Sequence, residues 1–270
     1  MMQYDPVKRS LGNIFNRTPL LRKLFYRLLD LLLLRSWHIR RELRKLDNSG
    51  FDPDHMADAG SGFGQYVYYL SGRYPGARIT GLDIKQEQVD DCNEFFASIG
   101  RSQKVEFRYA DLTKLEEREE WDLVLSVDVM EHIEDDRTVF QRIYKGLKPG
   151  GYLLISTPSD QGGSDVHQEH EESFIDEHVR DGYGVKEMDE KLKEAGFSDI
   201  QIKYSYGVPG KISWKLSMKY PILLANLSKL FLLVLPIYYL VTYPISYLLN
   251  KADVRGKHST GTGLIVRCRK

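Results

Sequence analysis

The chain has 270 residues, 42% hydrophobic and 28% charged, enough for one α/β domain with an elaboration. Its two cysteines, Cys92 and Cys268, argue against a disulfide framework and for a reducing compartment, and Met1-Met2-Gln3-Tyr4-Asp5-Pro6 does not read as a secretory signal. Net charge is zero but unevenly spread: residues 1–46 carry 11 Lys/Arg against 3 Asp/Glu, and residues 207–260 carry 7 against 1. Both segments are also rich in leucine and aromatics, a pairing that suits an anionic membrane surface and leaves no expectation of a nucleic-acid partner.

Thr18-Pro19 suits a helix start, and Leu20, Leu21, Leu24, Leu28, Leu31 and Leu32 recur at helical spacing within a helix expected over residues 20–46. Two readings of that helix stay open: it packs on the domain with a solvated basic face, or it lies in a membrane interface. Asn48 to Asp54 is turn-rich. From there strands alternate with helices, the pattern of a parallel sheet. The strands are expected at His55–Ala59, Arg78–Asp83, Lys104–Tyr109, Trp121–Val127, Tyr152–Thr157, Asp199–Tyr206 and Gly263–Arg269. The helices are expected at Gln65–Arg73, Lys85–Ile99, Asp135–Gly146 and Val185–Ala195.

The first strand runs into Asp58-Ala59-Gly60-Ser61-Gly62-Phe63-Gly64, a glycine turn before a helix start. Such a turn lets a ligand lie against bare backbone, and the helix start favours an anionic group. Asp83 ends the second strand about twenty residues later, where an acid meets a ribose diol in nucleotide-binding folds; Ile84 follows it. Asp111 and Leu112 follow the third strand, where a carboxylate beside a backbone N–H suits an adenine edge. The fourth strand ends Ser126-Val127-Asp128-Val129-Met130-Glu131-His132, and Leu147-Lys148-Pro149-Gly150-Gly151 turns into the fifth.

In this order the motifs resemble the class I S-adenosylmethionine-dependent methyltransferases, nearest to the quinone, sterol and small-molecule lipid subgroup. The resemblance covers roughly residues 50–206 and the last strand. It implies a Rossmann-like, seven-stranded, mostly parallel sheet with the last strand antiparallel, and S-adenosyl-L-methionine as cofactor. By position it implies that Gly60, Ser61, Gly62 and Gly64 pass under the methionine part and that Asp58 holds its amino group. Asp83 would take the ribose hydroxyls, with Ile84 beside it. Asp111 and Leu112 would take the adenine, and Ser126 and Val127 would line the methyl-donor pocket. Methylation of a hydroxyl needs a base, for which histidine has a suitable pKa. His132 is the first candidate, with Asp128 and Glu131 able to orient it; a loop-fixing or positioning role, or metal ligation with Glu131, stays open. His178, in Glu177-His178-Val179-Arg180, is the second, with loop fixing as its alternative. His167-Gln168-Glu169-His170 reads as a solvated acidic loop or a divalent-metal site; no resident metal is assigned.

Residues 207–260 interrupt what should be a short connection between the last two strands. Leu230–Leu249 is twenty residues without a charge, yet a single span would leave the last strand on the wrong side of the membrane. Pro236 and Pro244 are expected to break the stretch, and tyrosines with flanking lysines suit a headgroup boundary. A covering lid or dimer contact is the alternative to a monotopic membrane-docking surface. The expected organisation is a basic helical segment (1–47), a methyltransferase domain (48–206 and 261–270) and a hydrophobic helical insertion (207–260). The expected activity is methyl transfer, most simply to oxygen, on an aromatic, isoprenoid or polyene lipid at the inner face of a membrane. Carbon methylation and a non-catalytic cofactor-binding adaptor are the alternatives, and a homodimer is possible.

Overall fold

The computed structural model describes residues 18–162, 179–227 and 229–270. Two helices, α1 (Pro19–Leu32) and α2 (Leu34–Asn48), precede the sheet. Then come β1 (His55–Ala59), α3 (Gln65–Arg73), β2 (Arg78–Asp83), α4 (Gln86–Ser98), β3 (Val105–Tyr109), β4 (Trp121–Val127), α5 (Asp136–Gly146) and β5 (Leu147–Pro158). The remainder is α6 (Val185–Ala195), β6 (Ser198–Ser205), α7 (Val208–Trp214), α8 (Tyr220–Leu227), α9 (Leu235–Arg255) and β7 (Gly263–Arg269).

The seven strands are ordered β3-β2-β1-β4-β5-β7-β6, with β7 antiparallel to both its neighbours. The expected fold is therefore the observed one. Strand order reverses between β1 and β4, so their C-terminal ends open the crevice in which such sheets bind ligands. Because strand side chains alternate, consecutive residues feed two cores. Ala57, Val124, Leu153 and Ile155 face α5 and α6, while Met56, Leu123, Leu125 and Leu154 face α2, α3 and α4. Ile39, Leu43 and Leu46 tie α2 into the second core.

The N-terminal helix departs from expectation in two ways. It is broken at Leu33, whose backbone is extended (φ −87°, ψ 110°). Downstream of the break, α2 lies on the sheet. Upstream, α1 is inside out: its buried side chains are Arg22 and Tyr26, whereas Leu20 (77%), Leu24 (47%), Leu28 (39%) and Leu31 (43%) are exposed. Arg22 donates to Asp91 Oδ2 (2.6 Å), to the Phe63 carbonyl (3.0 Å) and to the Tyr26 hydroxyl (2.7 Å), and that hydroxyl in turn donates to the same Phe63 carbonyl. The polar face of α1 thus grips the turn that follows β1.

The insertion is a helical hairpin. Pro236 sits in the first turn of α9, where a missing N–H is harmless. Contrary to expectation, Pro244 does not break α9, which runs through it for 21 residues. Instead, the irregularity falls opposite: Lys215–Lys219 form a wide π-turn, and the Leu216 and Ser217 carbonyls accept the hydroxyls of Tyr238 (2.7 Å) and Tyr239 (2.8 Å). Among the described residues no helix is long and apolar enough to cross a membrane. The hairpin is fastened to the sheet by Asp253, fully buried, which accepts from Tyr206 N (3.2 Å), Gly210 N (2.9 Å) and the His38 ring (2.9 Å).

Candidate active site

The turn after β1 is built on backbone. Gly60 N and Ser61 N donate to the Leu82 carbonyl (2.8 and 2.9 Å), and Gly62 N donates to Asp83 Oδ2 (2.8 Å). Gly60, Gly62 and Gly64 all take positive φ (80°, 49° and 76°), which only glycine adopts freely. A Cβ on Gly60 would lie 2.3 Å from a Val129 methyl, so β1 and the loop after β4 could not approach as they do with any other residue. A Cβ on Gly62 would meet only Gln88 Oε1, at 3.9 Å: this is the open side of the turn.

Three buried polar atoms around this crevice have no hydrogen-bond partner: Asp58 Oδ2, Ser61 Oγ and Ser126 Oγ. They come from the end of β1, its turn and the end of β4. An unsatisfied buried polar group costs about 1–3 kcal/mol, so three in one crevice mark a ligand's place. Burial, with the Asp83 charge adding to it, pushes the Asp58 carboxyl up to about 8. An ammonium beside it would reverse that. Asp83 accepts backbone N–H groups from Gly62 on one oxygen and Lys85 (2.9 Å) on the other, leaving lone pairs for a diol. Ile84 is 58% exposed beside it, a flat-ring contact waiting for a partner. Asp111 accepts from Thr113 N (3.0 Å) and its hydroxyl (2.6 Å) and pairs with Lys114, bonds that hold its pKa low and cap the short helix Leu112–Lys114. Leu112 is buried and Val127 half-buried at the mouth of β4. The donor set fits the amino acid, diol and base of S-adenosylmethionine.

Residues 57–155 match the family model described as a methyltransferase domain. Phosphoethanolamine N-methyltransferase 1 of Triticum aestivum is 34% identical over 146 residues, 54% of this chain and 28% of that protein. The O-methyltransferase resE of Aspergillus sclerotiorum is 25% identical over 152 residues, 54% of this chain and 56% of that protein. A solved Haemonchus contortus phosphoethanolamine N-methyltransferase 2 superimposes with a TM-score of 0.58 at 20% identity, covering 90% of this chain and 59% of that one; at that identity the likeness is of fold. The chain carries a class I S-adenosylmethionine-dependent methyltransferase domain. It spans under a third of the length of the wheat relative.

The crevice is bordered by the loop after β4, whose Val129 packs on Gly60. Asp128 has φ +52°, a left-handed conformation that a short polar side chain tolerates, and it is ion-paired with Arg35 of α2. Burial of Arg35 opposes its charge, but the Asp128 carboxylate together with Tyr66 and Tyr206 outweighs this and raises its pKa. Tyr66 and Tyr206 pack around the pair: Arg35 N donates to the Tyr206 hydroxyl (3.1 Å), and Tyr66 meets Ser36 at 3.2 Å. Burial, partly offset by Arg35, lifts Tyr66 to about 12. Glu131 is buried, accepts from Thr157 Oγ1 (3.0 Å), and is pushed up to about 8 by burial and then by Asp128.

His132, by contrast, is exposed, at the end of the short helix Met130–His132. His178, like His167 and His170, lies outside the described residues, but the chain just past it is pinned: Val179 N donates to the Glu131 carbonyl (3.1 Å). Arg180 then donates to the Ile133 carbonyl (2.8 Å) and Asp136, and Tyr183 and Lys191 converge on the same Asp136 carboxylate at 2.7 Å each. Among the described residues no group of three His, Cys, Asp or Glu is arranged to hold a metal. Sequence reasoning missed Arg22, Tyr26, Arg35, Tyr66 and Tyr206. Their signal was the reverse of the usual one, arginines and tyrosines on the faces that turn inward.

Proposed function

We propose that this protein methylates an amine nitrogen carried by a lipid head group, working from the anionic cytoplasmic leaflet of a membrane. The observation that carries the reading is α1, whose inner face holds the cofactor turn through Arg22 and Tyr26 while its outer face offers four leucines to a non-aqueous phase. The insertion adds Leu230, Leu233, Ile237, Leu240, Val241 and Leu248, each at least 65% exposed. Patches of this extent mark interaction surfaces.

Nitrogen is favoured over the hydroxyl oxygen expected from sequence because Glu131 at the mouth of β4, pushed up to about 8 by burial and then by Asp128, is matched to taking the proton of an ammonium. Wheat and nematode relatives bear names specifying an N-methyltransferase of phosphoethanolamine, an amine of the same kind. Bound S-adenosylmethionine supplies the electrophilic methyl group; the chain's residues align the acceptor and hold its proton. Asp58, Gly60, Ser61, Gly62, Gly64, Asp83, Ile84, Asp111, Leu112, Ser126 and Val127 would hold the cofactor, and Asp128, Glu131 and His132 would face the acceptor. The second reading, O-methylation of a hydrophobic hydroxyl, draws on the resemblance to resE and on exposed His132 as base.

Methyl transfer from labelled cofactor to phosphatidylethanolamine vesicles, to free phosphoethanolamine and to a phenolic lipid separates the cases: label in the first supports the proposal, and label only in the third replaces it with the second reading. A base of pKa about 8 must be ionised to act, so amine methylation should rise with pH through about 8, and Glu131→Gln should flatten that limb.

A further inference from the structure

A second cavity, of about 490 Å³, shares no lining residue with the crevice and lies between α1, α2 and the C-terminal half of α9. Five cationic side chains line it: Arg40, Arg41 and Arg44 of α2, and Lys251 and Arg255 of α9. The one acid there, Asp30, is already bound to Arg40 and to Gln65 Nε2 (2.9 Å). Arg41, Arg44, Lys251 and Arg255 have no carboxylate partner among the described residues. The cavity's aromatic side is Trp37 edge-on to Tyr247, centroids 5.2 Å apart, with Lys251 Nζ 4.7 Å from the Tyr247 ring.

Two apolar stripes end at this cavity. On α1, Leu20, Leu24, Leu28 and Leu31 share a face by i, i+4 and i+3 spacing, and Leu31 lines the cavity. On α9, Ile237, Leu240, Val241, Ile245 and Leu248 run exposed toward Lys251 and Arg255 on the same side. A cluster of unpaired cations at the end of two unpartnered apolar faces has the polarity of one ligand class: a phosphate bearing acyl chains. We propose that the cavity is a head-group site for an anionic glycerophospholipid, its phosphate among the four unpaired cations and its chains along the two leucine stripes. This rests on the membrane reading above and specifies which surface meets the bilayer. It is separate from the methyl-transfer crevice, so the bound lipid anchors the protein and is not the methyl acceptor.

The test is flotation of the full chain with phosphatidylcholine vesicles, with and without about one-third phosphatidylglycerol. Two variants of equal charge loss are compared: Arg41→Gln/Arg44→Gln/Lys251→Gln/Arg255→Gln in the cavity, and Arg27→Gln/Lys211→Gln/Lys219→Gln/Lys257→Gln outside it. Both should bind S-adenosylhomocysteine as the wild type does, which controls for folding. The cavity variant should bind phosphatidylglycerol vesicles about tenfold more weakly or worse, and the outside variant less than about threefold more weakly. Equal losses would assign binding to diffuse charge and overturn the site while leaving the membrane reading intact. Binding of inorganic phosphate that the cavity variant abolishes, with its flotation unchanged, would give the cavity to a soluble phosphate and overturn the lipid. A wild type that never floats would overturn both this proposal and the membrane reading.

Discussion

Asp58 concentrates the chemistry of the crevice in one carboxyl. Its pKa is raised on folding, so in the free protein its contribution to stability is present at low pH and is lost as pH rises from the ordinary carboxylate range toward about 8. Placing a cationic amino group against Oδ2 should draw the proton off. S-adenosylhomocysteine should therefore bind more tightly as pH rises from about 6 to about 8, with about one proton released per molecule bound at pH 7, measured by titration calorimetry in buffers of different ionisation enthalpy. Asp58→Asn should weaken binding by about 30-fold and remove the pH dependence; affinity that is flat with pH in the wild type would rule this out. The identity of this residue was legible in the sequence because the glycine turn fixes it two positions upstream. Arg35 and Tyr206 were not, because Arg35 reaches Asp128 from 93 positions before it in sequence and Tyr206, just past the end of β6, meets Arg35 from 171 positions away. Nothing local in either stretch distinguishes a half-buried, inward-turned arginine or tyrosine from a surface one.

At the level of elements, every strand and most helices follow from periodicity and turn residues: β4, buried along most of its length, is largely apolar, whereas β3 is buried at alternate positions, Val105 and Phe107. Two boundaries escaped. The break at Leu33 has no proline or glycine to announce it; it arises because α2 must lie on the sheet while Arg22 and Tyr26 must reach the Phe63 carbonyl. Pro244 was expected to end a helix that in fact continues through it, while the π-turn Lys215–Lys219 of the hairpin partner is bonded by Tyr238 and Tyr239. Asp253 holds that hairpin to α2 and β6. Burial alone would raise its pKa, but the His38 hydrogen bond and the His38 and His258 charges outweigh burial and depress it. Its contribution is thus present above the ordinary aspartate range and lost as pH falls through the depressed value. Asp253→Ala should destabilise the protein by about 3–5 kcal/mol in urea denaturation, because it strands His38, Tyr206 N and Gly210 N in a buried place. A loss below about 1 kcal/mol would show that water can take over these bonds.

Across the whole molecule, apolar surface is divided between two tasks: the two cores close around the sheet, and a further set of leucines, isoleucines and valines on α1 and α9 stays outside. Composition showed that these segments were basic and leucine-rich but not which face turned outward, since helical spacing serves a core as well as an interface. Leu28→Ser with Leu240→Ser and Leu248→Ser should leave the unfolding midpoint nearly unchanged, because all three are exposed, and weaken vesicle flotation about tenfold. A marked fall in the midpoint instead would mean that these side chains are covered in solution, as by a second copy. The insertion that carries half of this surface leaves and re-enters the sheet at one neck, where Thr262 N donates to the Tyr206 carbonyl at 3.3 Å. A polymer closed at its neck can change length or content without altering the register of β6 against β7, since loop closure depends only weakly on length. The apolar surface of α9 is thereby carried in a cassette that begins and ends at adjacent points, apart from the strands around the crevice, so the membrane contact proposed above can vary without touching them.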